Sequence, residues 1–361
     1  MNDCRVIYRA EQLPVFQNRM FDSEREAKNC VRGDVVLVQN CETGLIFNQT
    51  FKSCLMQYDV NYQNEQATSI VFQKHLQSVS QVNKRHFEAH SLIEVGCGKG
   101  SFLENLHKLG FEITGLDPTY EGSNPLVIKD YFSPEIGLRA DGIILRHVLE
   151  HVQDPIGFLS HIRESNGGSG KIYIEVPCID WICKHRAWFD IFYEHVNYFR
   201  LRDLNRIFGK VYESGHTFGG QYLYTVADLT TIRTPTCDKS DYFEFPKDFL
   251  DTVNQYASKL RTQYLGLPTT AAIWGGASKG VIFALFMERA KAKIDIVIDI
   301  NPAKQGKYIA GTGIQILSPT EAMRKLTAGT DIYVMNSNYL KEIQELTMHQ
   351  FNYLLVEQER I

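Results

Sequence analysis

The stretch Leu92-Ile93-Glu94-Val95-Gly96-Cys97-Gly98-Lys99-Gly100-Ser101-Phe102-Leu103 constrains this chain more than any other. An apolar run of strand character meets three alternate glycines, and a helical pattern begins at Ser101. Glycine lets the backbone turn sharply and lets a ligand come close to it. Free amides at the start of the following helix then face that ligand. A plain strand-to-helix turn needs no acid before the glycines, and Glu94 argues against it. A second strand, Glu112 to Leu116, ends at Asp117. That acid lies about 20 residues past the glycines, the offset of a ribose-hydroxyl acceptor.

Around this stretch strands alternate with helices: Leu92 to Val95, Glu112 to Leu116, Gly142 to Leu145 and Lys171 to Val176. Such alternation builds a mainly parallel sheet with helices on both faces, and ligands collect beyond the carboxyl ends of its strands. The residues there are Gly96, Gly98, Gly100, Asp117, Arg146, His147, Glu150 and His151, with Asp130 placed near an adenine by position. His147 and His151 are four apart, a chelating spacing, but no third ligand is evident, and helix-start and ion-pair roles account for most of this set. The densest polar-aromatic run follows, Trp188 to Phe199, with Glu194-His195 among large apolar neighbours. A histidine there reads as a neutral base near pH 7, against the alternative of a structural histidine satisfied by backbone. Gly219-Gly220-Gln221-Tyr222 is placed to close the same pocket.

The flanks differ in character. Residues 1–80 read as a small irregular unit with short strands at Val35 to Val38 and Gly44 to Phe47. Its cysteines at 4, 30, 41 and 54 contain no Cys-x-x-Cys pair, so no zinc is expected there and no metal is expected elsewhere. Tyr58 to Gln66, rich in phenols and amides, is either a connector or a flap over a substrate, with Tyr62 and Asn64 its candidate contacts. Residues 81–235 form the middle unit, and the polar stretch Thr230 to Ser240 leads into a third, 236–361. There a helix from about Lys247 to Leu265 precedes Ile273-Trp274-Gly275-Gly276-Ala277-Ser278-Lys279-Gly280, a second strand, glycine turn and helix, and a further strand ends at Asp299. This is a second nucleotide site, with Lys279 on phosphate and Asp299 on ribose, or a sheet domain with tight turns and no cofactor.

Composition narrows the partners. A net charge of −4 without any block of like charge disfavours nucleic acid and anionic membranes. No apolar run is long enough to span a bilayer and Met1 to Arg5 lacks a signal pattern, so the expectation is a cytoplasmic protein, monomeric or homodimeric. The eight scattered cysteines are expected as free thiols.

Glu94-x-Gly-x-Gly-x-Gly resembles the S-adenosylmethionine-dependent methyltransferases of the doubly wound class. Together with Glu194-His195-x-x-Tyr198-Phe199, Gly275 to Gly280 and Asp299-x-Asn301-Pro302-x-Lys304-x-Gly306, the chain resembles the three-domain sugar C-methyltransferases that act on nucleotide-linked 4-keto deoxysugars. The resemblance implies an α/β protein with a central class I methyltransferase domain, a small N-terminal domain that keeps a zinc-ribbon-like fold without metal, and a C-terminal Rossmann-like domain. It implies S-adenosyl-L-methionine as cofactor, held by Glu94, Gly96, Gly98, Gly100, Asp117, Asp130, Arg146 and His147. His195 becomes the base that takes a proton beside the ketone, with Glu194 as its neighbour and Tyr62 and Tyr193 as phenols near the enolate oxygen. Asn64, Asn197, Tyr198, Gln221, Ser278 and Lys279 become substrate contacts. The family often has Tyr-His-Glu-His where this chain has Phe192-Tyr193-Glu194-His195, and a cysteine pair where it has Asn40 and Thr43. O- or N-methylation of a sugar or small metabolite, a binding protein that has lost its chemistry, and a nicotinamide oxidoreductase are the other readings.

Overall fold

The computed structural model describes residues 3–59, 61–87, 90–264 and 270–357. The first of its three sheets is antiparallel, ordered Cys4–Pro14, Arg32–Asn40, Ile46–Asn48 and Asn197–Tyr198. The long opening strand was not legible as one. Register shifts between Val6 and Tyr8 and between Ala10 and Leu13 break its alternation, so no period of two runs through it. Where the resemblance puts a cysteine pair, Asn40 Oδ1 accepts hydrogen bonds from the amides of Glu42, at 2.9 Å, and Thr43, at 2.8 Å. A side-chain-closed turn thus stands in the position of a metal-closed one.

The middle sheet runs Val211–Thr217, Tyr222–Asp228, Lys171–Pro177, Gly142–Arg146, Ser91–Val95, Glu112–Leu116, Val127–Ile128. The last five are mutually parallel; Tyr222–Asp228 and Val211–Thr217 are antiparallel. Strand order reverses at Ser91–Val95, so the glycine loop after it opens at the switch point, where open sheets bind ligands. The helix Ile70–Phe87 packs on this sheet and runs straight through residue 80, where the sequence reading ends its first unit. The strand Asn197–Tyr198, assigned by sequence to the middle unit, completes the first sheet instead.

The third sheet is all parallel, ordered Ile316–Leu317, Ile296–Ile298, Ala272–Trp274, Asp331–Val334, Asn352–Leu355. The helix before it spans Asp251–Tyr264; Leu265, its expected end, lies outside the described residues. One buried cluster joins all three sheets, including Leu13 and Val35 from the first, Ile143 and Val176 from the second, and Val281 and Phe283 from the third unit. Trp188 is its keystone: fully buried, stacked on Phe283 with centroids 5.4 Å apart, its indole N–H on Thr252 Oγ1 at 2.8 Å. Among the described residues no helix is long and apolar enough to cross a membrane.

The third unit also caps the helix Ile70–Phe87. Ser69 Oγ accepts from the amides of Val71 and Phe72, while Glu342 accepts from Ser69 Oγ, at 2.6 Å, and from the Ile70 amide, at 2.8 Å. Glu342→Ala is expected to cost about 1 kcal/mol, the usual worth of an N-cap. A urea titration should show a lower midpoint with an unchanged slope.

Candidate active site

Glu194 gathers groups from three units. Its Oε2 accepts the Tyr62 hydroxyl at 2.6 Å, and its Oε1 accepts the Gln17 amide at 3.2 Å and Asn18 Nδ2 at 3.4 Å. Asn18 Nδ2 also lies 3.4 Å from Tyr62 Oη, and Ser278 Oγ donates to Asn18 Oδ1 at 2.8 Å. Ser278 takes φ +43, a left-handed value rare outside glycine, and so reaches the first unit from the third. Burial raises the Glu194 carboxyl, against His151 and the Tyr62 hydroxyl. Tyr62 is raised well above its usual range by burial first and Glu194 next, so it stays a donor.

The rings of His195 and His151 face one another, centroids 4.9 Å apart and nearly perpendicular. His151 Nδ1 lies 2.9 Å from the Glu194 carbonyl oxygen. A carbonyl only accepts, so Nδ1 carries the proton and Nε2 keeps its lone pair. A Glu150 carboxylate oxygen and one ring nitrogen each of His151 and His195 all lie within 4.8 Å of one another. Burial pushes His195 down to about 3, helped by positive charge on His151 and opposed by Glu150. His195 is therefore an unprotonated imidazole at pH 7, and gaining a proton becomes easier with Glu150 beside it.

Behind Glu150 lies a buried network. His147, at φ +53, sets Nδ1 3.3 Å from Glu150 Oε1 and Nε2 3.1 Å from Glu175 Oε1. Arg146, at 3.0 Å, and His75 Nε2, at 3.1 Å, reach the same oxygen, and the Tyr173 hydroxyl donates to the other at 2.8 Å. Burial opposes charge on His147, but its bonds to Glu150 and Glu175 raise it to about 9. Arg146 and His147 thus serve Glu175 rather than the cofactor loop, a correction to their expected placement. His147 makes the expected kind of ion pairs, with Glu150 and Glu175, while His151 meets His195 and Glu150.

Other expected contacts are spent on the fold. Tyr193 turns away from Glu194, packs under Gly33 and accepts the Lys52 amide at 2.9 Å. Asn197 donates to the carbonyls of Leu149 and Val152, and the Tyr198 hydroxyl is taken by Phe192 N and O. Lys279 sits over Trp181 with Asp190 at 3.2 Å, Glu357 at 3.3 Å and Gln221 Oε1 at 3.0 Å. Asp299 accepts from Gly276 N, Asn301 N and Lys304 Nζ. The second glycine turn is thus tied to its own chain, with Lys279 and Asp299 paired inside the protein. Asn64 is exposed beside the site, and Asp130 is exposed with its carboxylate on the Tyr131 amide. Gln17 and Asn18 are the contributors the sequence reading lacked, while Glu150 and His151, placed by it at the ligand edge, carry helix-start and ion-pair roles in it.

The glycine loop fits S-adenosylmethionine. A Cβ on Gly98, at φ +55, would meet nothing within 4 Å, whereas one on Gly96 would lie 2.5 Å from Val148 Cγ2. Glu94 Oε2 is buried without a partner, and burial raises this carboxyl to about 8, against Arg146. Asp117 Oδ2 accepts the Gly98 amide at 2.8 Å while Oδ1 holds Thr119. Oδ1 is filled by the Thr119 amide and hydroxyl, so Oδ2 is the oxygen with a second lone pair for a ribose hydroxyl. Gly98→Leu should therefore weaken S-adenosylhomocysteine binding in calorimetry by about tenfold or more, or about 1.4 kcal/mol. Its fold should survive, whereas Gly96→Ala should lower the thermal midpoint through the Val148 clash.

Comparison with known proteins finds two matching stretches. Residues 65–211 match the model of a methyltransferase domain, and residues 236–351 that of a C-methyltransferase C-terminal domain. The C-methyltransferase NovU of Streptomyces niveus is 24% identical over 289 residues, covering 70% of this chain and 67% of that protein. A ubiquinone biosynthesis O-methyltransferase of Methylobacterium nodulans is 36% identical over 86 residues, 20% of this chain and 34% of that one. Among solved structures, the Burkholderia thailandensis 1,6-didemethyltoxoflavin-N1-methyltransferase, 15% identical, covers 45% of this chain and 79% of its own with a TM-score of 0.34, too loose to carry weight. The chain is an S-adenosylmethionine-dependent methyltransferase, of the family that joins a methyltransferase domain to a C-methyltransferase C-terminal domain.

Proposed function

We propose that this enzyme methylates a carbon beside the ketone of a nucleotide-linked keto-deoxysugar. The observation that carries the reading is the Tyr62–Glu194 hydrogen bond, 2.6 Å long, on the residue next in the chain to a His195 imidazole that burial keeps unprotonated. Carbon next to a ketone becomes nucleophilic only after losing a proton, which calls for a base and a donor to the developing oxyanion. His195 takes the proton. Tyr62, held as a donor by Glu194, is the hydroxyl that turns to the enolate oxygen, with Asn18 Nδ2 beside it. Bound S-adenosylmethionine supplies an electrophilic methyl, which the enolate carbon takes as the methyl–sulfur bond breaks. The proton stays on His195, where Glu150 stabilises it, until solvent removes it.

The phenol missing at Phe192 is not replaced by Tyr193, whose ring is committed to the first sheet. That leaves Tyr62 as the donor from the flap, and the flap is pinned where it is needed. Lys99 Nζ donates to Gln63 Oε1 at 3.0 Å, Ser101 Oγ to Glu65 Oε2 at 2.9 Å, and Asn301 Nδ2 to the Glu65 carbonyl at 3.4 Å. The residues that flank Tyr62 thus hold the glycine loop and the third unit together over the site.

His195→Asn should lower turnover of a keto-sugar nucleotide by about 100- to 10,000-fold, the usual share of a general base, with S-adenosylhomocysteine affinity kept. Glu194→Gln should cost less, since it still accepts from Tyr62. The wild type should exchange a carbon-bound proton of the substrate for solvent deuterium in the presence of S-adenosylhomocysteine. Wild-type turnover by His195→Asn, or methylation without exchange at any carbon, would assign the base elsewhere.

A further inference from the structure

We infer that Glu150, His151 and His195 form a binding site for a divalent transition-metal ion of the zinc type, open on its fourth side, and that the ion there blocks the enzyme. The three side chains come from the short helix Leu149–His151 and from the run before Asn197–Tyr198. Their ligand atoms lie within 4.8 Å of one another. Ligands on a tetrahedral zinc ion are about 3.3 Å apart, so small side-chain rotations close the set.

Independent features support a ligand there. Glu150 is 1% exposed, and its Oε2 has no hydrogen-bond partner among the described residues. A buried carboxylate oxygen left bare is costly unless something binds it. Its Oε1 is meanwhile fixed by His147, which Glu175 holds in turn. His151 has its Nδ1 proton on the Glu194 carbonyl and its Nε2 free, the outer-shell arrangement that orients metal-binding imidazoles. His195 makes no hydrogen bond to a described residue; its ring only contacts those of His151, Phe192 and Tyr198. Two imidazoles and one carboxylate suit zinc, cobalt or nickel and give magnesium and calcium too few oxygens.

The metal and the base compete for His195. An ion on its ring nitrogen leaves no lone pair to accept a proton, so metal binding and proton abstraction exclude each other. The binding half of this inference stands without the methylation reading; the inhibitory half rests on it.

The test begins with the full-length protein, stripped by chelator and free of substrate. Cobalt(II) chloride should bind one to one, giving visible d–d bands of a nitrogen–oxygen set without a thiolate charge-transfer band, and zinc sulfate should displace it. Glu150→Gln, His151→Asn and His195→Asn should each abolish the bands, while Cys4→Ser and Cys41→Ser leave them unchanged. Each variant's fold is read from retained S-adenosylhomocysteine binding. If Glu150→Gln misfolds, the half-exposed His195→Asn carries the decision. No cobalt binding, a thiolate band, or bands that survive His195→Asn in folded protein would overturn the site. Zinc should also inhibit turnover in competition with the sugar substrate and be reversed by chelator. Zinc that binds without slowing a reaction that His195→Asn abolishes would overturn the inhibitory half alone.

Discussion

The Glu175 carboxylate holds the working edge of this enzyme together. It is fully buried on the strand Lys171–Pro177, with the positive charge of Arg146 and the rings of His147 and His75 around it. Burial alone would favour its neutral form; these neighbours keep it well below the usual carboxylate range. Removing one partner of such a buried set costs about 3–5 kcal/mol, because a bare charge is left behind. The position of each partner follows. His75 ties the helix Ile70–Phe87 to the sheet, and His147 is held at a backbone angle that few side chains adopt. His147 then hands the constraint to Glu150, whose other oxygen is left for the site. The electrostatics of the core thus decide what His151 and His195 face.

A second constraint is the sharing of elements between units. The strand Asn197–Tyr198 leaves the middle unit to finish the first sheet, and that exchange carries Glu194 and His195 to the place where Asn18 and Tyr62 arrive. Asn197 and Tyr198 matter through this geometry: buried, with every polar atom named above spent on backbone, they fix the run that carries Glu194 and His195. Asn40 does the equivalent at the other end of the sheet, where its side chain closes the turn.

The parallel strands, the glycine loop at the switch point and Asp117 were legible in the sequence, because each rests on local pattern or on a motif; the 132-residue separation of Tyr62 from Glu194 hid their meeting. The failures have specific causes. Tyr193 reads as a phenol near the enolate oxygen, but its hydroxyl accepts the Lys52 amide and its ring fills the space under Gly33, contacts that no local pattern announces. Asn18 lies in a loop with no motif and acquires meaning only when folding brings Ser278 and Glu194 to it. Glu150 and His151 read as a helix start, and nothing local says that residues 43 or more positions later will face them. The strand Cys4–Pro14 was hidden by its bulges.

The third unit shows how far a nucleotide-binding pattern can travel from nucleotide binding. Its strand, glycine turn, helix and acid are all present, yet Asp299 accepts three donors of its own loop and Lys279 is neutralised by Asp190 and Glu357. A phosphate would have to displace two carboxylates from a nearly buried ammonium, and a ribose would have to displace Lys304. What the unit contributes lies at the edge of that turn. Ser278 leaves the regular backbone range to reach Asn18, Asn301 holds Glu65, and Glu342 caps the helix that begins where the flap ends. A fold built to bind a cofactor is here used as a wall. Its turn, closed by its own side chains, places Ser278 on Asn18 and Asn301 on Glu65 and so sets the position of loops in another unit.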